Sequence, residues 1–155
     1  MQSEGRVIFK IGWVQAVGRL LTVLSAFISL SALPAQAQTL TQTTNLNFGT
    51  AAQGSPAKTV APGTAQNTEN GSFRVEGPAN QSFTIVIPTG SILMTTQGTG
   101  ANTIEVSNFQ AFPFPTSRTN SQGRRVIFVG ATRAAIAPNQ VAGTYTGTYT
   151  IEVLF

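Results

Sequence analysis

The chain has 155 residues with nine Lys or Arg, five Glu, no Asp, no Cys and no His, a formal charge of +4. No disulfide framework can form, a catalytic triad lacks its imidazole, and a zinc site lacks its usual ligands. A calcium site rarely forms without Asp.

At the N-terminus, Arg6, Lys10 and Arg19 form a basic region ahead of Leu20 to Leu33, a charge-free run of Leu, Val, Ala, Ile, Phe, Ser and Thr. Ala35 and Ala37 then place small residues at the two positions a signal peptidase reads. Residues 1–37 are therefore expected to be a secretory signal peptide, with Gln38 the mature N-terminus and the protein periplasmic, extracellular or on the cell surface. The apolar run falls short of the ~20 residues that span a bilayer, so stable membrane insertion after cleavage is not expected. The leader takes Arg6, Lys10, Arg19 and Glu4 with it, leaving six basic and four acidic residues, a net charge of +2. So small a balance does not point to a nucleic-acid partner. Arg124 and Arg125, the only basic doublet, are expected near a strand start with one or both exposed.

The mature chain reads as short strands separated by Gly, Pro, Asn, Ser and Thr. Leu46 to Gly49 is expected as a first strand and Ala57 to Ala61 as a weak one. Asn70-Gly71 reads as a turn. Ser72 to Glu76 alternates with Phe73 and Val75 inward, and Ser82 to Ile87 with Phe83, Ile85 and Ile87 inward before Pro88. Ile92 to Thr95 is a candidate edge piece, and Thr103 to Ser107 turns Ile104 and Val106 inward. Pro113 and Pro115 remove ladder donors, which makes Phe112 to Pro115 a covered loop or a sheet edge. Arg125 to Val129 is nearly continuous in apolar residues and is expected to be covered on both faces. Gly130 marks a bulge or corner before Thr132 to Ile136. The final segment from Gly143 has Tyr145, Tyr149, Ile151, Val153 and Phe155 in one period-two row, with Thr146, Thr148, Thr150 and Glu152 in the other. It is expected as an antiparallel strand with one face in the core. Tyr145 and Tyr149 fit this core row better than they fit sugar-stacking platforms. Seven to nine strands at these spacings predict a single all-β antiparallel sandwich over residues 46–155, with residues 38–45 as an N-terminal extension.

No pair of Glu lies close enough in sequence for acid–base work, and neither Gly98 to Gly100 nor Gly143 to Gly147 opens a helix as a phosphate loop would. No enzyme activity, cofactor or metal is expected.

Leu46, Phe48 and Gly49, then Phe73, Val75 and Gly77, then Phe83, Ile85, Ile87 and Pro88, then Ile104, Val106 and Phe109 follow one another in an order that resembles a known family. Gly123, the run Val129 to Thr132, and the closing pattern of Gln140, Gly143, Tyr145, Gly147, Tyr149, Ile151, Val153 and Phe155 complete it. Together they resemble the bacterial family filed as domain of unknown function 4402, which is similar to spore coat protein U and, more distantly, to fimbrial subunits. The resemblance implies an exported immunoglobulin-like or pilin-like sandwich with a structural or adhesive role at the cell surface.

In pilins, a neighbour's N-terminal extension completes the sandwich by strand addition beside a C-terminal strand that ends in an aromatic residue. By resemblance, Gly143 and Phe155 take the places of that strand's glycine and aromatic, with Tyr145, Tyr149, Ile151 and Val153 between them. The donor would be residues 38–45, offering Leu40, Gln42 and Thr44, with Leu46 next in register. These ten residues are the candidate assembly interface. The partners implied are further copies of the chain, as a homopolymer, and a periplasmic chaperone and usher. If Leu46 belongs to the domain itself, Leu40 is the only large apolar side chain of the donor. The alternative is a self-contained secreted binding module for a glycan or surface protein that does not polymerise.

Overall fold

The computed structural model describes residues 37–97 and 102–155. The expected signal peptide lies outside the described residues except for Ala37. Among the described residues there is no helix, and nine strands form: β1 (Thr39–Thr44), β2 (Lys58–Val60), β3 (Gly71–Glu76), β4 (Ser82–Val86), β5 (Ile92–Thr95), β6 (Thr103–Phe112), β7 (Thr116–Arg118), β8 (Arg124–Arg133) and β9 (Glu152–Leu154). All pairings between them are antiparallel. One sheet runs β1-β3-β8-β6-β5, with β2 also paired to β8, and the other runs β7-β4-β9. The fold is an all-β sandwich.

Period-two alternation makes the core. On β3, Phe73 and Val75 are buried while Arg74 is exposed, and on β4, Phe83 and Ile85 are buried while Thr84 is exposed. The inner row of β8 supplies Ile127, Val129 and Ala131, and its ladder neighbour β6 adds Val106 and Phe109. Each large apolar side chain so buried contributes about 1.5–3 kcal/mol.

The strand β8 changes neighbour along one edge, from β3 (Gly71 opposite Val129) to β2 (Val60 opposite Ala131). Gly130 sits at the change. A β-carbon there would stand 2.2 Å from the Val60 carbonyl oxygen, so no other residue fits without moving the chain. The corner expected at Gly130 thus does not end the strand, which continues to Arg133.

Several expectations need correction. Leu46 and Phe48 pack on the core, but residues 45–57 form no strand; Asn47 N–H bonds the Glu69 carbonyl instead of joining a ladder. Asn70-Gly71 is not a hairpin turn, because β2 and β3 both pair with β8 rather than with each other. Asn70 is fully buried, its Nδ2 donating to the Pro62 and Ala65 carbonyls at 2.6 and 2.8 Å and its Oδ1 accepting from Asn67 N–H. Its side chain clamps the preceding loop. The strand starting at Thr103 runs on to Phe112 through a register shift between Ser107 and Gln110, where Asn108 has φ 55°. Phe112 and Phe114 are exposed rather than covered, and Val126 leaves the outer face of β8 partly open. The final strand is short: only residues 152–154 join a ladder, opposite β4.

Candidate functional site

The expected donor segment already lies in its own sheet. Leu40 sits opposite Val75, Gln42 opposite Phe73 and Thr44 opposite Ser72, with a register shift between Gln42 and Thr44. The inward row Leu40, Gln42 and Thr44 is half-buried and the alternate threonines are exposed. The last turn of this pairing is a cluster of hydroxyls. Thr43 Oγ1 and Thr44 Oγ1 lie 2.6 and 2.7 Å from Ser72 Oγ, and Ser72 is fully buried beneath them. Leu40 is the one large apolar side chain of this strand and packs against the core.

The C-terminal residues of the expected interface do not share one ladder. Thr146 bridges Thr95 of β5 in the larger sheet, with both backbone bonds formed (2.8 and 3.0 Å). The chain then crosses to the smaller sheet, where Val153 sits opposite Ile85. Between these anchors Tyr149 packs against Phe73 and Phe109, with ring centroids 6.0 and 5.3 Å away. Among the described residues its buried hydroxyl has no partner, and that burial pushes its pKa well above the usual tyrosine value. Ile151 is in the core, and Phe155 stacks on Phe83 at 5.3 Å. Close approach to β5 is why Gly143 and Gly147 lack side chains. A β-carbon on Gly143 would meet Thr96 Oγ1 at 2.6 Å, and one on Gly147 the Leu93 carbonyl oxygen at 3.0 Å.

Leu46, Gly143 and Tyr145, the rest of the expected interface, come together elsewhere, in the wall of a cavity of about 650 Å³. Tyr145 therefore leaves the core row its spacing suggests. Its hydroxyl donates to the Val141 carbonyl at 2.6 Å, and Gln140 Nε2 reaches that hydroxyl at 2.8 Å and the Thr103 carbonyl at 3.1 Å. The opposite wall is the loop after Leu46. It is held by Gln53 Nε2 on the Gln140 carbonyl at 2.6 Å and by Lys58 Nζ on the Phe48 carbonyl at 3.0 Å. Lys58 also pairs with Glu69 at 2.6 Å.

Arg133 lines the same cavity and was not singled out from the sequence. It continues the inner row of β8 after Ile127, Val129 and Ala131, so the strand's own period carries a guanidinium to the end of the core. Only 4% of the residue is exposed. Nη1 donates to the Ala134 carbonyl and Nη2 to the Pro56 carbonyl, each at 2.9 Å, while Nε has no acceptor. Among the described residues no carboxylate pairs with it, and no three acidic side chains gather into a metal site. The signal in the sequence was a basic residue in phase with an apolar strand row. Arg124 and Arg125, by contrast, are both exposed at the start of β8, where Arg124 meets Glu76 at 3.4 Å.

Comparison with curated proteins and with solved structures gives no match. Residues 39–155 match the model of a family described as a domain of unknown function, DUF4402.

Proposed function

The chain belongs to the DUF4402 family, whose description assigns no activity, and we propose that it is an exported structural or adhesive component of the cell surface that works as a self-contained β-sandwich. The observation that supports this reading is the place of β1. A donor for strand addition must be free to enter a neighbour, whereas Thr39–Thr44 completes the edge of its own sheet beside β3. The hydroxyl cluster with Ser72 and the packing of Leu40 hold it there.

A fimbria-like or coat-like polymer is the second reading, favoured by the same strand's position at a sheet edge. An identical copy's β1 fits the identical place beside β3, and exchange of one edge strand between copies is a low-cost route to assembly. A periplasmic chaperone and usher belong with this second reading only. Sedimentation of residues 38–155 beside residues 46–155 separates the two. The self-contained module gives a monomer for residues 38–155. Polymers of residues 38–155 that vanish on truncation would overturn it in favour of strand exchange.

A further inference from the structure

We infer that the cavity between the loop after Leu46 and the Gln140 to Tyr145 segment is a binding site for a small, singly charged carboxylate, with Arg133 as its cationic anchor. This goes beyond the structural or adhesive role and holds whether or not the chain polymerises.

The case rests on a charge without a counter-charge beside a space of ligand size. A buried ion that lacks a partner costs several kcal/mol, so such groups are normally paired. Arg133 has two carbonyl acceptors for its guanidinium, which offers about five N–H donors. Neither carbonyl carries a formal charge. A carboxylate supplies the missing negative charge and two acceptor oxygens in the planar geometry that a guanidinium prefers. The volume, about 650 Å³, lies within the range of small-molecule sites.

The other lining groups define what accompanies the carboxylate. Gln140 and Tyr145 bond each other through their side chains and each also bonds a backbone carbonyl, and Gln53 bonds the Gln140 carbonyl, so the three fix the walls. Leu46, Met94, Ile104 and Ile136 also line the space and suit an apolar body. One guanidinium against apolar walls matches a single negative charge. A phosphate dianion would bring a second charge that, among the described residues, no other lining side chain neutralises.

The test uses the mature chain, residues 38–155, with ¹⁵N labelling, titrated separately with hexanoate, hexan-1-ol and inorganic phosphate. The Arg133 Nε–H resonance is the reporter. Hexanoate is expected to shift that resonance and the Gly143 and Gln140 amides in a saturable way, with hexan-1-ol and phosphate at least tenfold weaker. Arg133→Gln should weaken hexanoate at least tenfold, and Arg133→Lys should restore part of the loss. Equal shifts by hexanoate and hexan-1-ol, saturable phosphate binding at similar strength, or hexanoate shifts centred on Arg124 and Arg125 would each overturn the proposal. Should both Arg133 variants fail to fold, the three-probe comparison on the unaltered chain decides it alone.

Discussion

The ring of Phe155 occupies the place of a side chain at Gly77: a β-carbon on Gly77 would stand 2.7 Å from Phe155 Cζ. The same ring packs on Phe83, at the end of the smaller sheet, while the residue as a whole stays 37% exposed. Gly77 is buried and its N–H bonds the Gly123 carbonyl at 2.9 Å. The glycine's role is thus to admit the Phe155 ring.

Gly77→Ala should displace Phe155 and cost about 1–3 kcal/mol, the usual penalty of overpacking. Phe155→Ala alone should also destabilise. Because both changes remove one contact, the double variant should lose clearly less than the two single losses added together. Denaturant titration of the four proteins checks this, and strict additivity would mean that the two residues do not act through each other.

Tyr149 carries a buried, unpartnered hydroxyl. Leaving such a group unsatisfied costs about 1–3 kcal/mol, so Tyr149→Phe should be neutral or stabilising. The raised pKa adds a pH dependence with a definite sign. Below about pH 10, the ordinary tyrosine value, folded and unfolded chains both keep the proton and the group contributes nothing to the slope. Above it the unfolded chain releases the proton while the folded chain retains it, so stability falls as pH rises. Thermal unfolding between pH 9 and 11 should show a smaller alkaline loss for Tyr149→Phe than for the unaltered chain. Parallel curves would contradict the burial of the hydroxyl.

Ile151 is 3% exposed and its neighbour Thr150 is exposed. Ile151→Asp buries an unpaired charge at a cost of several kcal/mol, enough to prevent folding of a domain with a typical stability of ~5–15 kcal/mol. Thr150→Asp should shift the melting temperature little. Equal melting temperatures for the two variants would place the register of this segment one residue out.

Asn70→Ala removes both donors to the loop at Pro62 and Ala65 and the acceptor for Asn67 N–H. Pro62 is half-buried and Ala65 and Asn67 are exposed, so water can reach the freed groups and the loss should be about 0.5–1.5 kcal/mol for each bond. Faster amide exchange should follow at Asn67, whose N–H loses its acceptor. Unchanged exchange there would show that water replaces the side chain without loss.

What alternation can show, it showed. The strands holding Phe73, Val75, Phe83, Ile85, Ile104 and Val106 stand where their period places them, because a strand's period decides which side chains are buried. Leu46 and Phe48 have the same spacing and also pack on the core, yet their backbone finds no ladder partner; the pattern reports a packed face and does not report a hydrogen-bonded neighbour. The closing segment failed for a related reason. Tyr149 keeps to the core row and Tyr145 leaves it, because the chain crosses from beside Thr95 in one sheet to beside Ile85 in the other, and only tertiary geometry dictates that crossing. Asn70-Gly71 followed turn statistics until a buried amide with three bonds overrode them. Arg133 was visible in principle, as a cation standing in an apolar row, but the cavity that gives it meaning is built from loops distant in sequence.

The pairing of residues 152–154 with β4 sets a kinetic condition. Val153 meets Ile85, Phe155 packs on Phe83, and Ile151 joins the same core. Contacts so far apart along the chain must overcome loop-closure entropy before they stabilise anything, which slows folding in β-rich topologies. Until residues 152–154 are in place, that edge of β4 has no ladder partner. A chain in which this segment has not yet docked therefore carries an open strand edge beside Phe83 and Ile85, the kind of edge on which chains aggregate while folding proceeds.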